Sequence, residues 1–331
     1  MRVKETIYMK ENKPVSDIKS LSEILNSPEL PHERKKSKIE FFPLTVSLLA
    51  KITPMLGESN NMLCDYTPGG LLFGMRRLYS PTVCVCEDKL FLSVLSDDRT
   101  HRDYLMPVGG DIAESLELLD RYTREHNLPF SIHTTQKYAE LAARYFRCGY
   151  EISDELCDYV YNAHDLALLE GAKYHTQRTN IRKLQREHES WSYVRINDKN
   201  LADAVAFADA LFAGQTGDGS RFWQAGVDIV YDALYNLEAL SLRSGMLYVD
   251  GKTAGIAIGY VKQEMLYIHV LRANREIWGA WNLLCREFVA DNLEGVRYVN
   301  MEDDLGEEGV RRMKMSYCPI EYIKRARADI R

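Results

Sequence analysis

The sequence predicts an α/β protein of mixed (α+β) sheets, built as two similar halves, and three observations carry that expectation. Two β-rich runs, 83–86 and 90–95, are separated by Glu87, Asp88 and Lys89, which is a hairpin signal. A second pair of runs, 246–249 and 253–260, flanks Asp250 and Gly251, the strongest short-range hairpin signal there is. Behind each hairpin, helical and strand patterns follow in the same order, and that order recurs after roughly 165 residues. Tight turns force antiparallel pairs whereas helical crossovers permit parallel ones, so the sheets should be mixed and a doubly wound dinucleotide fold is disfavoured.

In the first half, Asp111 precedes Ile112, Leu116, Leu119 and Tyr122 at helical spacing, and the pattern ends near Asn127 before Pro129. A strand over 130–134, a helix from about Gln136 to Arg147 and a strand over 158–163 complete it. In the second half a strand over 266–271 leads into a helix from about Ile277 to Asn292, with Leu283, Leu284 and Phe288 on one side. A strand at 296–300, a short helix near 307–315 and a strand around 320–325 close the set. At 331 residues the chain exceeds what one core supports, roughly 250–300 residues, so two domains are expected. They are 38–165 and 166–331, after a polar, poorly patterned extension over 1–37, and the second is expected to carry the functional site.

Composition excludes several classes. No run approaches the about 18 apolar residues a membrane span needs, and the first residues lack the apolar middle of a signal peptide. A cytoplasmic protein that is not integral to a membrane is the expectation. The seven cysteines are odd in number, and Cys84 and Cys86 alternate with valines, which reads as buried free thiols. No His, Cys or carboxylate pair has a ligand spacing that fits the predicted elements, so no metal is expected. A net charge of −6 argues against a surface coated in positive charge, so any anion site must be local.

Two segments carry a pattern: DYVYNAHDLALLEGAKYHTQRTNIRKL at 158–184 and NMEDDLGEEGVRRMKMSYCP at 300–319. Together they resemble the family named for the C-terminal catalytic domain of phosphatidylglycerol lysyltransferase, whose soluble members are tandem GNAT-like domains. Asn300, Glu302, Asp304, Gly306, Gly309, Arg311, Lys314 and Pro319 fall on the family spacing, and the order of elements agrees from about residue 38 onward. Leu271 stands where relatives commonly carry an acidic residue, and Gln177 and Thr179 where the first motif is usually Lys and Asn. The resemblance implies tandem GNAT-like acyltransferase domains and transfer of an acyl or aminoacyl group to a hydroxyl or amine. The donor it implies is aminoacyl-tRNA, with no permanently bound cofactor. A CoA-dependent N-acetyltransferase using acetyl-CoA is the alternative enzyme, although bulky Trp278 occupies the usual first glycine of the pyrophosphate loop. A noncatalytic binding or regulatory protein on the same fold is the third reading, motivated by positions 177, 179 and 271.

In a GNAT-like sheet the donor wedges between two central strands that splay apart, here 265–271 and 296–300. Asn300, Glu302 and Asp304 then lie just beyond a strand's carboxyl end, where open α/β sheets bind ligands. Glu302 and Asp304 are close enough to disturb each other's ionisation, so one of them with a raised pKa is a candidate general base. The competing reading of Asp304 is structural, a cap on the helix beginning near Glu307 or a turn-forming residue. Gly306 and Gly309 suit a tight turn whose N–H groups hold an anion or a developing oxyanion. Arg311 and Lys314 share a helical face and could grip a phosphate or carboxylate, or simply pair with Glu307 and Glu308 in solvent. His269 and Arg272 complete the substrate-binding set, and His175 and His269 are also possible acid–base groups, the alternative for each being a purely structural role. Near the junction Arg178, Arg182 and Arg186 recur every four residues with Lys183 beside them. With Lys173 they form a basic ridge suited to tRNA phosphates or an anionic lipid headgroup, the alternative being a solvated face. The glycine-rich stretch 214–223 reads as a mobile lid, and a small-molecule or anionic lipid acceptor is the other partner to expect.

Overall fold

The computed structural model describes residues 38–75, 78–96, 99–213 and 221–331. The first half runs β1 (Phe42–Pro43), α1 (Val46–Glu58), a 3-10 turn (Cys64–Tyr66), α2 (Pro68–Met75), β2 (Thr82–Cys86), β3 (Lys89–Leu95), β4 (Arg102–Leu105), α3 (Ile112–Glu125), β5 (Ser131–Thr135), α4 (Gln136–Phe146) and β6 (Gly149–Asn162). After α5 (Ala163–Leu168) and α6 (His175–Glu187) come β7 (Trp191–Val194), α7 (Leu201–Phe212), α8 (Arg221–Leu234), β8 (Arg243–Val249), β9 (Lys252–Lys262) and β10 (Met265–Ala273). The chain closes with α9 (Ala280–Asp291), β11 (Tyr298–Asn300), α10 (Glu308–Ser316) and β12 (Glu321–Asp329).

Local chemistry accounts for the boundaries. Asp111 caps α3 by accepting from the Glu114 N–H at 2.9 Å. Asp250 and Gly251 turn the β8–β9 hairpin with φ of 50° and 74°, as a two-residue turn with left-handed centres requires. The predicted helix from Ile277 starts instead at Ala280, because Gly279 sits at φ 89° and interrupts the helical path. The strand expected at 158–163 is longer, Gly149–Asn162, and the one at 296–300 is shorter.

All the strands join one sheet in the order β1-β2-β3-β4-β5-β12-β6-β11-β10-β9-β8-β7. Within each half the first strands are antiparallel, then one parallel pair follows, β4 with β5 and β10 with β11. This is the tandem GNAT-like architecture the motifs imply. The closing strands, however, are exchanged: β12 lies between β5 and β6, and β6 pairs with β11. The division expected between 165 and 166 falls inside α5, and no break in the sheet accompanies it.

The core follows the same pattern. Ile256 and Ile258 on β9 face one cluster, which also holds Leu49, Phe91 and Ile132 of the first half and Ile229 and Val230 of α8. Ala257 between them faces the other, with Leu166, Ile181, Leu284 and Phe288 from α5, α6 and α9. Among the described residues no helix is long and apolar enough to cross a membrane, and no group of three or more His, Cys, Asp or Glu side chains could hold a metal ion. The seven cysteines are free.

Candidate functional site

Strands β10 and β11 pair in register only from Met265 opposite Tyr298 to Tyr267 opposite Asn300. Beyond that point β11 ends, while β10 runs on to Ala273 with a bulge between Ile268 and Val270. A bulge re-aims a side chain, and here the residue it presents at the parting of the strands is His269. Its Nδ1 lies 2.6 Å from Glu302 Oε1, the imidazole side chain is only 1% exposed, and its Nε2 has no hydrogen-bond partner among the described residues.

The loop after β11 is shaped to hold Glu302 there. Glu302 adopts φ 62°, and its N–H donates to the Asn300 side-chain oxygen at 2.6 Å. Asn300, fully buried, donates its own amide to Asp158 at 3.0 Å. From α10 the buried Lys314 donates to the carbonyls of Met301 at 2.6 Å, Glu302 at 3.0 Å and Asp303. Burial pushes the Lys314 ammonium down. Three carbonyl acceptors around one buried ammonium fix the loop, and the Glu302, Asp303 and Asp158 carboxylates nearby partly oppose the downward push of burial.

Asp304 is the other fixed point. Its carboxylate accepts from the Tyr159 hydroxyl at 2.6 Å, Arg311 Nε at 2.7 Å and the Gly306 N–H at 2.9 Å. Burial alone would raise its pKa, but the hydrogen bonds from Arg311, Tyr159 and Gly306 outweigh it and hold the carboxyl at about 2. The expectation that Glu302 and Asp304 perturb each other until one is raised is reversed at Asp304. Of the two structural roles expected for Asp304 it takes the turn and not the cap: the N-cap position is Glu307, and the Asp304 carboxylate closes a turn on Gly306, which takes φ 76°. The face shared by Arg311 and Lys314 points inward at the 301–304 loop and not outward to an anion. Gly309, within the first turn of α10, has open space where a Cβ would sit.

Behind this loop lies a group that sequence spacing did not reveal. Arg325 of β12 bonds Asp65 and lies 3.1 Å from Asp158 and 3.2 Å from Asp303. Burial pushes the Asp158 carboxyl up to about 6, with Arg325 only partly opposing it, and Asp303 is raised for the same reason. The first half reaches the site a second time through α2, where a Cβ on Gly69 would come within 2.1 Å of the His269 ring. The Pro68-Gly69-Gly70 run was a visible signal for a close approach, but its target, two hundred residues away in the chain, was not.

The remaining expectations divide. Arg272, at the end of β10, and Arg275, on the turn after it, are exposed and have no ion-pair partner among the described residues, and Glu302 is a charged neighbour of Arg272. On α6 the ridge splits. Lys173 pairs with Asp165 at 2.6 Å, and Arg178 donates to the carbonyls of Leu169 and Gly171, so both are used locally. Arg182 and Arg186 remain exposed and, with Thr179 and Gln185, line a surface cavity of about 410 Å³. Gln177 is buried and ties α6 to the Ser316 carbonyl at 2.8 Å, while Thr179 donates back to the His175 carbonyl. His175 stands at the exposed start of α6. The lid reading of 214–223 lies mostly outside the described residues, with Trp223 on α8 packed against Phe212.

The family model for the C-terminal region of phosphatidylglycerol lysyltransferase matches residues 73–328. A conserved protein of unknown function from Bacteroides thetaiotaomicron is 26% identical, with a TM-score of 0.77 over 88% of this chain and 100% of that one. A C-terminal domain from Agrobacterium fabrum, described as that of a lysylphosphatidylglycerol synthetase, is 13% identical with a TM-score of 0.60, covering 86% of this chain and 92% of its own. L-PGS from Bacillus licheniformis is 11% identical with a TM-score of 0.58, over 84% and 90%. At those last two identities the likeness shows the fold. No curated protein matches the chain. With Asn300, Glu302, Asp304, Arg311 and Lys314 of the motif gathered on one loop and its supporting helix, and the family model matched from α2 to β12, the chain belongs to the phosphatidylglycerol lysyltransferase C-terminal family, an acyltransferase-type family.

Proposed function

We propose that the chain transfers an aminoacyl group from an aminoacyl-tRNA-type donor to a hydroxyl or amine acceptor, with Glu302 as general base. The observation that carries this reading is the Glu302–His269 contact of 2.6 Å at the mouth of the splayed strands. Glu302 is 28% exposed, which makes it the member of the pair open to a ligand, whereas His269 is enclosed and fixes the carboxylate from behind. The acceptor's O–H or N–H proton passes to Glu302 as its oxygen or nitrogen attacks the donor ester carbonyl. The tetrahedral intermediate then collapses, the ester C–O bond breaks, and the proton on Glu302 goes to the departing 3′-hydroxyl. Arg272, exposed beside Glu302 and without a partner among the described residues, is suited to a donor phosphate or to charge developing on the carbonyl oxygen.

Asn300, Lys314, Asp304 and Arg311 act as positioning residues in this reading. They hold the 300–304 backbone in the conformation that presents Glu302. The direct test is to supply aminoacyl-tRNAs and a panel of lipid and small-molecule hydroxyl and amine acceptors to the purified full chain, and to follow loss of the ester together with the new product. Glu302→Gln should lower turnover by about 10²–10⁴ with little change in melting temperature. Turnover unchanged in that variant removes Glu302 from the mechanism. Turnover of acetyl-CoA alone returns the chain to the N-acetyltransferase alternative.

A further inference from the structure

On the same rim as the site, five residues beyond the end of β10, the ring of Trp278 is 56% exposed. Two contacts orient it. Its Nε1 donates to the Asn180 side chain of α6 at 2.9 Å, and the Lys183 ammonium lies over the ring, 5.1 Å from its centroid. The adjacent Gly279 is pressed so closely on α6 that a Cβ would sit 2.3 Å from the Asn180 carbonyl oxygen. An indole held by its edge, with more than half of its surface open to water, is oriented to receive a flat ring without paying to order itself. Along the same helix Arg182 precedes Lys183 directly, Thr179 stands one turn before it and Arg186 one turn after it, and these three with Gln185 line the surface cavity. Arg182 and Arg186 have no carboxylate partner among the described residues, and Lys183 has only Glu187 at 3.8 Å. These guanidinium groups without carboxylate partners stand on the helix that holds the exposed indole through Asn180 and Lys183, on a chain of net charge −6.

We infer that Trp278, Lys183, Arg182 and Arg186 form a stacking platform for an unpaired nucleotide of an RNA strand, with the strand's phosphates running along α6. A flat π face takes any base, cations beside it take the backbone, and the combination is the chemistry of single-strand nucleic-acid binding. A lipid headgroup would use the arginines but has no ring for the indole. A nucleotide cofactor such as CoA would use the indole, yet its few phosphates do not need a row of cations along a helix. The inference deepens the reading above and rests on it for the identity of the strand, since the donor there ends in RNA.

The test is binding of a short single-stranded RNA ending in adenosine to the full chain, followed by quenching of tryptophan fluorescence and by anisotropy of a labelled strand. Trp278→Ala should weaken binding roughly ten- to hundred-fold, and Trp278→Phe should restore most of it. Replacing Arg182 and Arg186 by Ala should reduce the slope of log affinity against log salt by about 0.7 per lost contact. Equal binding by Trp278→Ala overturns the platform, as does binding of phosphatidylglycerol vesicles or of CoA with none of the RNA. The aminoacyl-transfer assay separates the two claims. Transfer from charged tRNA with an unchanged KM in Trp278→Ala sinks the platform and keeps the proposed reaction. RNA binding that depends on Trp278, with no transfer by the wild type, does the reverse.

Discussion

Asp304 is where the charge arrangement of the site is most sharply defined. Its side chain is 1% exposed, Arg311 is its ion-pair partner, and its carboxyl is held at about 2. A carboxylate whose folded pKa lies below its ordinary value near 4 contributes stability above that value and loses it as pH falls toward about 2. Acid unfolding of the wild type should therefore draw on Asp304 between about pH 4 and pH 2, and a melt series of Asp304→Asn should lack that share. At neutral pH the same variant should be less stable by about 1–3 kcal/mol, the range for hydrogen bonds to a charged group, with the half-exposed Arg311 limiting the loss. Turnover per folded molecule should fall far less than in Glu302→Gln. The motif spacing made Asn300, Glu302, Asp304, Arg311 and Lys314 legible as one group. It did not tell which side of α10 is buried, because a shared helical face reads the same whether it turns to solvent or to a loop. Asp65, Asp158 and Arg325 were illegible for a different reason: they come from three distant segments, and only the strand order brings them together.

Among the elements, α2 has the most direct hold on the site. Gly69 lies so close to His269 that Gly69→Ala must push the imidazole away from Glu302, and overpacking of this kind typically costs about 1–3 kcal/mol. We expect turnover to fall at least as steeply as stability, measured by parallel kinetics and thermal melts. Gly309→Ala is the matched comparison. Open space surrounds that position, and alanine is favoured over glycine within a helix by up to about 1 kcal/mol, so both readouts should be silent or slightly improved. The hairpins, α3, α4, α9 and α10 were all visible in the sequence, through turn residues and helical periodicity. Strands β4 and β7, four residues each, were not, since so short a run carries too little alternation to stand out.

At the scale of the whole molecule the exchange of β6 and β12 decides how the halves depend on each other. Strand β12 is paired over nine positions with β6 and five with β5, so neither half has a closed set of pairs by itself. Fragments 38–165 and 166–331 produced separately should fail to show cooperative melts, whereas co-production should recover a folded complex that melts in one transition by circular dichroism. Two independent transitions would contradict this. Local patterning showed the duplication but not the exchange, because a strand's alternation is the same whichever neighbour it takes. The exchange also sets a timetable. During synthesis β5 and β6 emerge long before the strand that belongs between them, and at about 5–20 residues per second that wait is on the order of ten to thirty seconds. For most of that time the nascent first half carries three inner strand flanks without their native neighbours, one on β5 and both on β6, the kind of surface that recruits wrong partners. On the ribosome, this chain should depend on chaperone cover until residues 321–329 have emerged.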